Sequence, residues 1–245
     1  MKYIMRKRYA AVICAIIAFS VKVQAAPVEL NMFDTPQNTT QTLQIVFLLT
    51  VLTLAPSILI MMTGFTRIII VLSFIRNAMG TQQMPPNQVI IGLALFLTFF
   101  VMTPVISEVN TTAYKPYIEE QITQEVAFAN AQKPIRKFMG EQINERDLDL
   151  FMSLGNIEPV DTFDEIPMHV VIPAFITSEI KTAFQIGFFI FIPFLVIDMI
   201  VASTLMSMGM MMLPPVMISL PFKILLFVLV DGWGMTIKTL IASFG

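Results

Sequence analysis

Few residues in this chain could do acid–base or nucleophilic chemistry. Among 245 residues there is one histidine, His169, and one cysteine, Cys14. No G-x-S-x-G run offers a nucleophile elbow, and no G-x-x-x-x-G-K-[ST] run offers a phosphate cradle. His169 has no second ligand near it in sequence, so neither a metal nor a cofactor is expected, and the chain does not read as an enzyme. The ionisable groups that stand out are those set in or beside apolar stretches: Glu179, Lys181, Asp198, Lys223 and Asp231. A charge at a bilayer centre costs about 2.5–3.5 kcal/mol even on insertion scales, so these side chains are expected to face an interior, such as a subunit contact or a lumen wall.

Methionine supplies the other unusual chemistry. The chain has 19, and six of them fall in the twelve residues MSMGMMMLPPVM, 206 to 217. Met is flexible and polarizable and suits surfaces that must fit many shapes. Gly209 before Met210-Met211-Met212 and Pro214-Pro215 after it predict a broken helix and a short loop. Met206, Met208, Met210, Met211 and Met212 on such a loop would form a soft plug, closing a pore to ions yet parting around an extended polypeptide. Gap-filling in a tight helical turn is the other reading of the same residues.

These groups have to be positioned by membrane-type elements. The composition is 56% hydrophobic and 13% charged with a mean hydropathy of +0.77, about half the charge of a soluble chain. A net charge of −2 argues against a nucleic-acid partner. Residues 1–25 carry a basic start (Lys2, Arg6, Lys7, Arg8), an apolar stretch and Val23-Gln24-Ala25, which predicts a secretory signal cleaved after Ala25, taking Cys14 with it. Uncharged stretches predict apolar helices at 43–62 and 89–107, and stretches broken only by Asp198, Lys223 and Asp231 predict two more at 183–206 and 215–237, giving a first hairpin within 26–107 and a second, Met-rich one within 171–245. Between them, residues 108–170 form an acidic helical insert; 108 to 169 hold 12 acidic and 5 basic residues. The fold expected is all-α: long bent hydrophobic hairpins with a small hydrophilic insert.

Arg67 and Arg76, read as loop residues between the first two helices, predict a cytoplasmic loop, and the acidic insert then lies outside. In the insert, Ile118, Ile122 and Val126 suggest one helix face ending near Lys133 before Pro134. A second helix is expected from an Asn144 cap to Gly155, with Leu148, Phe151 and Met152 on one stripe. Phe138 and Phe151 either close the insert's small core or dock on a neighbouring subunit. Pro56, Pro193, Pro214, Pro215 and Pro221 free carbonyls that lipid cannot satisfy, so those turns should be buried in protein or face water. On a continuous last helix, Lys223, Asp231 and Lys238 fall within one arc of about 80°, a polar stripe; alternatively the two lysines snorkel and only Asp231 needs a partner.

Two long stretches then carry a resemblance: TRIIIVLSFIRNAMGTQQMPPNQVIIGLALFLTFFVMTPV (66–105) and IPAFITSEIKTAFQIGFFIFIPFLVIDMIVASTLMSMGMMMLPPVMISLPFKILLFVLVDGW (172–233) closely resemble the FliP family of flagellar type III export-gate proteins. Injectisome relatives share the layout, but the signal peptide and the GTQQMPPNQV wording look flagellar. The resemblance implies about five copies in a helical pore together with FliQ and FliR, passing unfolded flagellar subunits across the bacterial inner membrane at the flagellar basal body. It implies that Met210, Met211 and Met212 form a gasket, and that much of the assembled gate lies on the periplasmic side. It also implies that four spans describe only the inserted state. A small-solute or ion-coupled transporter subunit using Asp198 is the alternative, weakened by the lack of an internal repeat.

Overall fold

A computed structural model describes residues 36–81, 83–158, 160, 162–210 and 212–245. The expected signal segment, 1–25, and Cys14 lie outside the described residues. Two units divide at Leu52 and Thr53. In the first, the described residues are the opening turns of α1 (Pro36–Met61), a helix that continues into the second unit. The second unit contains α2 (Phe65–Met79), α3 (Asn87–Val109), α4 (Lys115–Ile118), α5 (Gln124–Gln142), α6 (Glu145–Leu154), α7 (Met168–Ser207), α8 (Pro215–Leu229) and α9 (Gly232–Ala242). No strand occurs among the described residues, and the protein is all-α.

Three stretches are long and apolar enough to cross a membrane: Thr42–Met61, Asn87–Ile118 and Met168–Ser207. A fourth is available if α8 and α9, bent by 64°, count as one. The 40 residues of α7 make a rod of about 60 Å, roughly twice a bilayer's hydrocarbon core, so its length serves more than one span. It begins at Met168, four turns before the apolar helix expected from 183.

The largest departure from the sequence reading is α2. Arg67 and Arg76 do not sit in a loop. They lie on a 15-residue helix whose Ile68, Val71, Leu72, Ile75, Ala78 and Met79 are buried. The spacing i, i+3, i+4, i+7 is that of an amphipathic helix, and reading the two arginines as loop charges concealed it. The orientation inferred from them therefore loses Arg67, which is 2% exposed.

α2 is the centre of the first core, where its buried face meets Ile90, Ala94 and Leu97 of α3, Ala183 and Phe194 of α7, Phe227 of α8 and Leu240 of α9. Gly187 lets α7 close on α2; a Cβ there would stand 2.5 Å from the Phe74 ring. The second core joins the insert to α7, with Phe138 and Met139 of α5 against Val170, Val171 and Phe175. Each such side chain, fully buried, contributes about 1.5–3 kcal/mol.

The insert is helical, as expected, with two corrections. Ile118, Ile122 and Val126 do not share a helix: α4 ends at Ile118, and α5 starts after Thr123, whose hydroxyl accepts from the Val126 N–H. Nor does the helix stop before Pro134; α5 runs through it to Gln142. Packing overrides the proline here, because Phe138 and Met139 beyond it are buried and Arg136 donates to the carbonyls of Phe163 and Ile166. Asn144 is the N-cap of α6 and Gly155 its C-cap, although the Asn144 side chain makes no capping bond. Between α3 and α4 the chain widens into a π-turn, Asn110–Tyr114. Pro116 has no N–H to offer the Thr112 carbonyl, and Asn130 of α5 donates to it instead at 3.2 Å.

A buried polar knot ties these parts together. Arg67 Nε donates to Glu179 Oε2 at 3.1 Å and Nη2 to Glu179 Oε1. Nη2 also donates to Gln142 Oε1 (2.8 Å), and Nη1 to the carbonyl (2.6 Å) and hydroxyl (3.1 Å) of Ser243. All five guanidinium donors are thus used. The Phe244 ring lies 4.1 Å from Arg67 Cζ, and Gln142 Nε2 donates to the Phe244 carbonyl at 3.0 Å. The knot joins α2, α5, α7 and the residues after α9. Glu179→Ala would leave the Arg67 charge buried and unpaired, so it should destabilise by about 3–5 kcal/mol. Arg67→Met with Glu179→Met should cost much less; unfolding midpoints in detergent compare the two, and equal losses would refute this account.

Candidate functional site: a methionine-rich hairpin tip

α7 and α8 form an antiparallel hairpin whose tip is the methionine run. Gly209 takes a left-handed φ of 76° to end α7, and Pro214 with Pro215 starts α8, so the helix break expected from these residues is present. At the tip Met206, Met208, Met210 and Met212 are all exposed, Met212 at 98%. Met211 lies outside the described residues. Leu213, Val216 and Met217 beside them are exposed too. Among the described residues the side chains of these four methionines lie at the surface, unlike gap-fillers sunk in a tight turn.

Behind the tip the two arms are clamped by charge. Lys223 Nζ donates to Asp198 Oδ2 and Ser219 Oγ to Asp198 Oδ1, each at 2.5 Å. Ser219 and Lys223 are i, i+4 and share a helix face, so both carboxylate oxygens are met from one side. Phe194 and Phe227 follow one turn further from the tip, ring centroids 6.2 Å apart. From Asp198 to the end of α7 at Ser207 is about 14 Å at 1.5 Å per residue. The tip is therefore a short apolar cantilever fixed at a neutralised ion pair.

The polar stripe expected on the last helix does not form as drawn, because the helix breaks. Asp231 is left-handed (φ 49°), and the chain turns 64° between α8 and α9. The chain passes close to the Phe227 ring here: a Cβ on Gly232 would meet it at 2.3 Å. Lys223 is buried on α8, while Asp231 at the bend and Lys238 on α9 are exposed.

The residues expected at subunit contacts are mostly engaged within the chain. Phe138 is buried and faces the rings of Phe175 and Phe244 at 6.0 and 6.4 Å. Phe151 is half-buried against the second core. Glu179 holds Arg67, and Lys181 pairs with Asp147 on α6. Asp147 Oδ2 also accepts from the Ser178 hydroxyl at 2.9 Å, and Ser178 Oγ accepts from the Asn144 N–H at 3.0 Å. Burial alone would raise the Asp147 carboxyl, but the Lys181 ammonium and Ser178 hydroxyl outweigh it and hold the group below the usual aspartate range. His169 is exposed at the start of α7. Among the described residues no three His, Cys, Asp or Glu side chains converge to hold a metal ion.

Arg67, Gln142, Ser243, Asp147, Ser178 and Ser219 were not anticipated as partners. One signal was available: Asp198 and Lys223 lie 13 and 12 residues either side of Met211, so a hairpin turning there brings them opposite. The Arg67–Glu179 pairing, 112 residues apart, had no such cue.

The FliP family model matches residues 48–240. The chain is 57% identical over 217 residues to the flagellar biosynthetic protein FliP of Bacillus subtilis (strain 168), covering 88% of this chain and 98% of that protein. It is 56% identical over 208 residues to the protein of the same name from Pectobacterium carotovorum subsp. carotovorum, covering 85% and 81%. With the one from Aquifex aeolicus (strain VF5) the identity is 47% over 239 residues, covering 97% and 99%.

Two outcomes follow from the geometry. Asp198→Ala strands the Lys223 ammonium in a buried site, so it should loosen the hairpin; a spin-label pair on the two arms near the tip would report a broader distance distribution, and Lys223→Met in the same background should narrow it again. For Asp147 the folded pKa lies below the ordinary 3.8, so its contribution is present above that value and lost as pH falls through the folded pKa. The melting-temperature gap between the parent chain and Asp147→Asn should therefore be constant near neutrality and close below about pH 4.

Proposed function

The chain belongs to the FliP family, and from that premise we propose that it is a pore-forming subunit of the flagellar type III protein export gate. In this reading about five copies, with FliQ and FliR, enclose a path for unfolded flagellar subunits across the bacterial inner membrane. Residues 1–25 are removed as a signal, and the acidic insert lies on the periplasmic side with much of the assembled gate. The observation that carries the reading is the tip: adaptable thioethers presented outward on a clamped hairpin and exposed among the described residues.

A ring of such tips suits a gasket for physical reasons. An ion crossing an apolar constriction must shed water that no thioether replaces, so the ring resists ions by dewetting. Each Met turns about three bonds, so the same ring yields to a polypeptide of varied side chains and closes behind it. The clamp keeps the tip at a fixed height while its surface stays soft. Asp198 and Lys223 neutralise one another and Ser219 fills the second carboxylate oxygen, which favours a structural tie over the coupling-ion site a transporter would need.

Replacing Met210, Met211 and Met212 together with Ala should leave assembly intact and make the complex leaky. Single-channel conductance of size-checked complexes in planar bilayers tests this: conductance well above the parent complex is expected, and parent-level conductance in assembled triple mutant would remove the gasket.

A further inference from the structure

Three cations are buried or half-buried in the helices around the first core. Arg67 has Glu179 and Lys223 has Asp198. Arg76, on the last turn of α2, has no carboxylate among the described residues. Its Nη1 donates to neutral oxygens, Asn87 Oδ1 and the Pro85 carbonyl (3.5 Å), and its Nε is buried with no partner. With neutral oxygens as its acceptors, the half-buried guanidinium charge has no counter-anion among the described residues.

Beside it is a cavity of about 240 Å³ lined by Leu72, Pro85, Val89, Ile90, Leu93 and Trp233. Leu72 and Arg76 are i, i+4 on α2 and so lie one above the other. Pro85 both lines the cavity and accepts from Arg76, which sets the guanidinium at its edge. The volume is below the 300–1,000 Å³ of drug-sized pockets and the lining is apolar, which suits a linear hydrocarbon rather than a ring system. Trp233 is the only tryptophan in the chain, a side chain suited to the membrane–water boundary.

We propose that the cavity under Trp233 and the Arg76 guanidinium together form a binding site for one anionic phospholipid, acyl chain inside and phosphodiester on Arg76. The site commits to a lipid because it pairs an apolar slot with an unmatched cation at one end, in a protein whose helices are membrane-length.

Trp233 makes the test direct, since its fluorescence is the only indole signal of the whole chain. The full-length protein is reconstituted into vesicles of phosphatidylglycerol or phosphatidylcholine carrying the same brominated acyl chains, mixed at varied mole fraction into unbrominated phosphatidylcholine. Brominated phosphatidylglycerol should quench Trp233 at about tenfold lower mole fraction than its choline counterpart. Arg76→Gln should abolish that preference, and Val89→Phe, which narrows the slot, should reduce quenching by both. Equal quenching of the unaltered protein by the two lipids overturns the site without any variant. Relief of the preference by millimolar inorganic phosphate would overturn it in favour of a free anion. Loss of quenching by both lipids when FliQ and FliR are present would overturn it in favour of a protein occupant.

Discussion

A guanidinium taken almost wholly out of water has to be paid with five acceptors, and the fold around Arg67 is arranged to supply them. Glu179 provides two oxygens, Gln142 one and Ser243 two. These acceptors come from α7, the end of α5 and the segment after α9, so satisfying one side chain fixes the mutual position of elements 75 to 176 residues from it. Breaking any one contact exposes the others to an unmet charge, which makes the arrangement cooperative in a way that apolar packing is not.

That anchorage decides what the rest of α7 can do. Its first turns are held by the knot, by Ser178 and Lys181 on Asp147, and by the second core. Its middle packs on α2 at Gly187. Beyond Asp198 its exposed methionines begin, at Met199, Met206 and Met208. The order along one helix is therefore anchored insert, packed middle, clamped arm and exposed tip. The helix thus passes from a part fixed by polar ties to a part whose exposed side chains are flexible thioethers.

The hairpin, its glycine and proline breaks and the methionine tip were legible in the sequence because each has a local cause: a strongly apolar run, a residue that ends a helix, a biased composition. The insert's helical character was legible for the same reason. What was not legible depended on contacts distant in sequence. α2 passed for a loop because Arg67 and Arg76 were counted as solvated charges, when one is buried against Glu179. Pro134 looked like a terminator because its local cost was visible and the burial of Phe138 and Met139 beyond it was not. The stripe through Lys223, Asp231 and Lys238 assumed a straight helix, and the left-handed Asp231 breaks it.

The charges also bear on how such a chain would associate. Glu179, Asp147 and Asp198 each find their cation inside the same chain, so no partner need supply a counter-charge for them. Bringing copies together then covers apolar side chains such as Phe188, Phe189, Val228 and Leu229, which are exposed, without first stripping water from an unpaired ion. Desolvation of polar groups that end up imperfectly paired is a principal cost of association, and it is largely settled within the chain. The apolar excess of the sequence is thus divided: α2 and its neighbours use their share to fold, while the outer faces of α7 and α8 keep theirs for whatever adjoins them, lipid or protein. Internal ion pairing makes that division possible, because it lets polar residues sit in apolar helices without marking the outer surface.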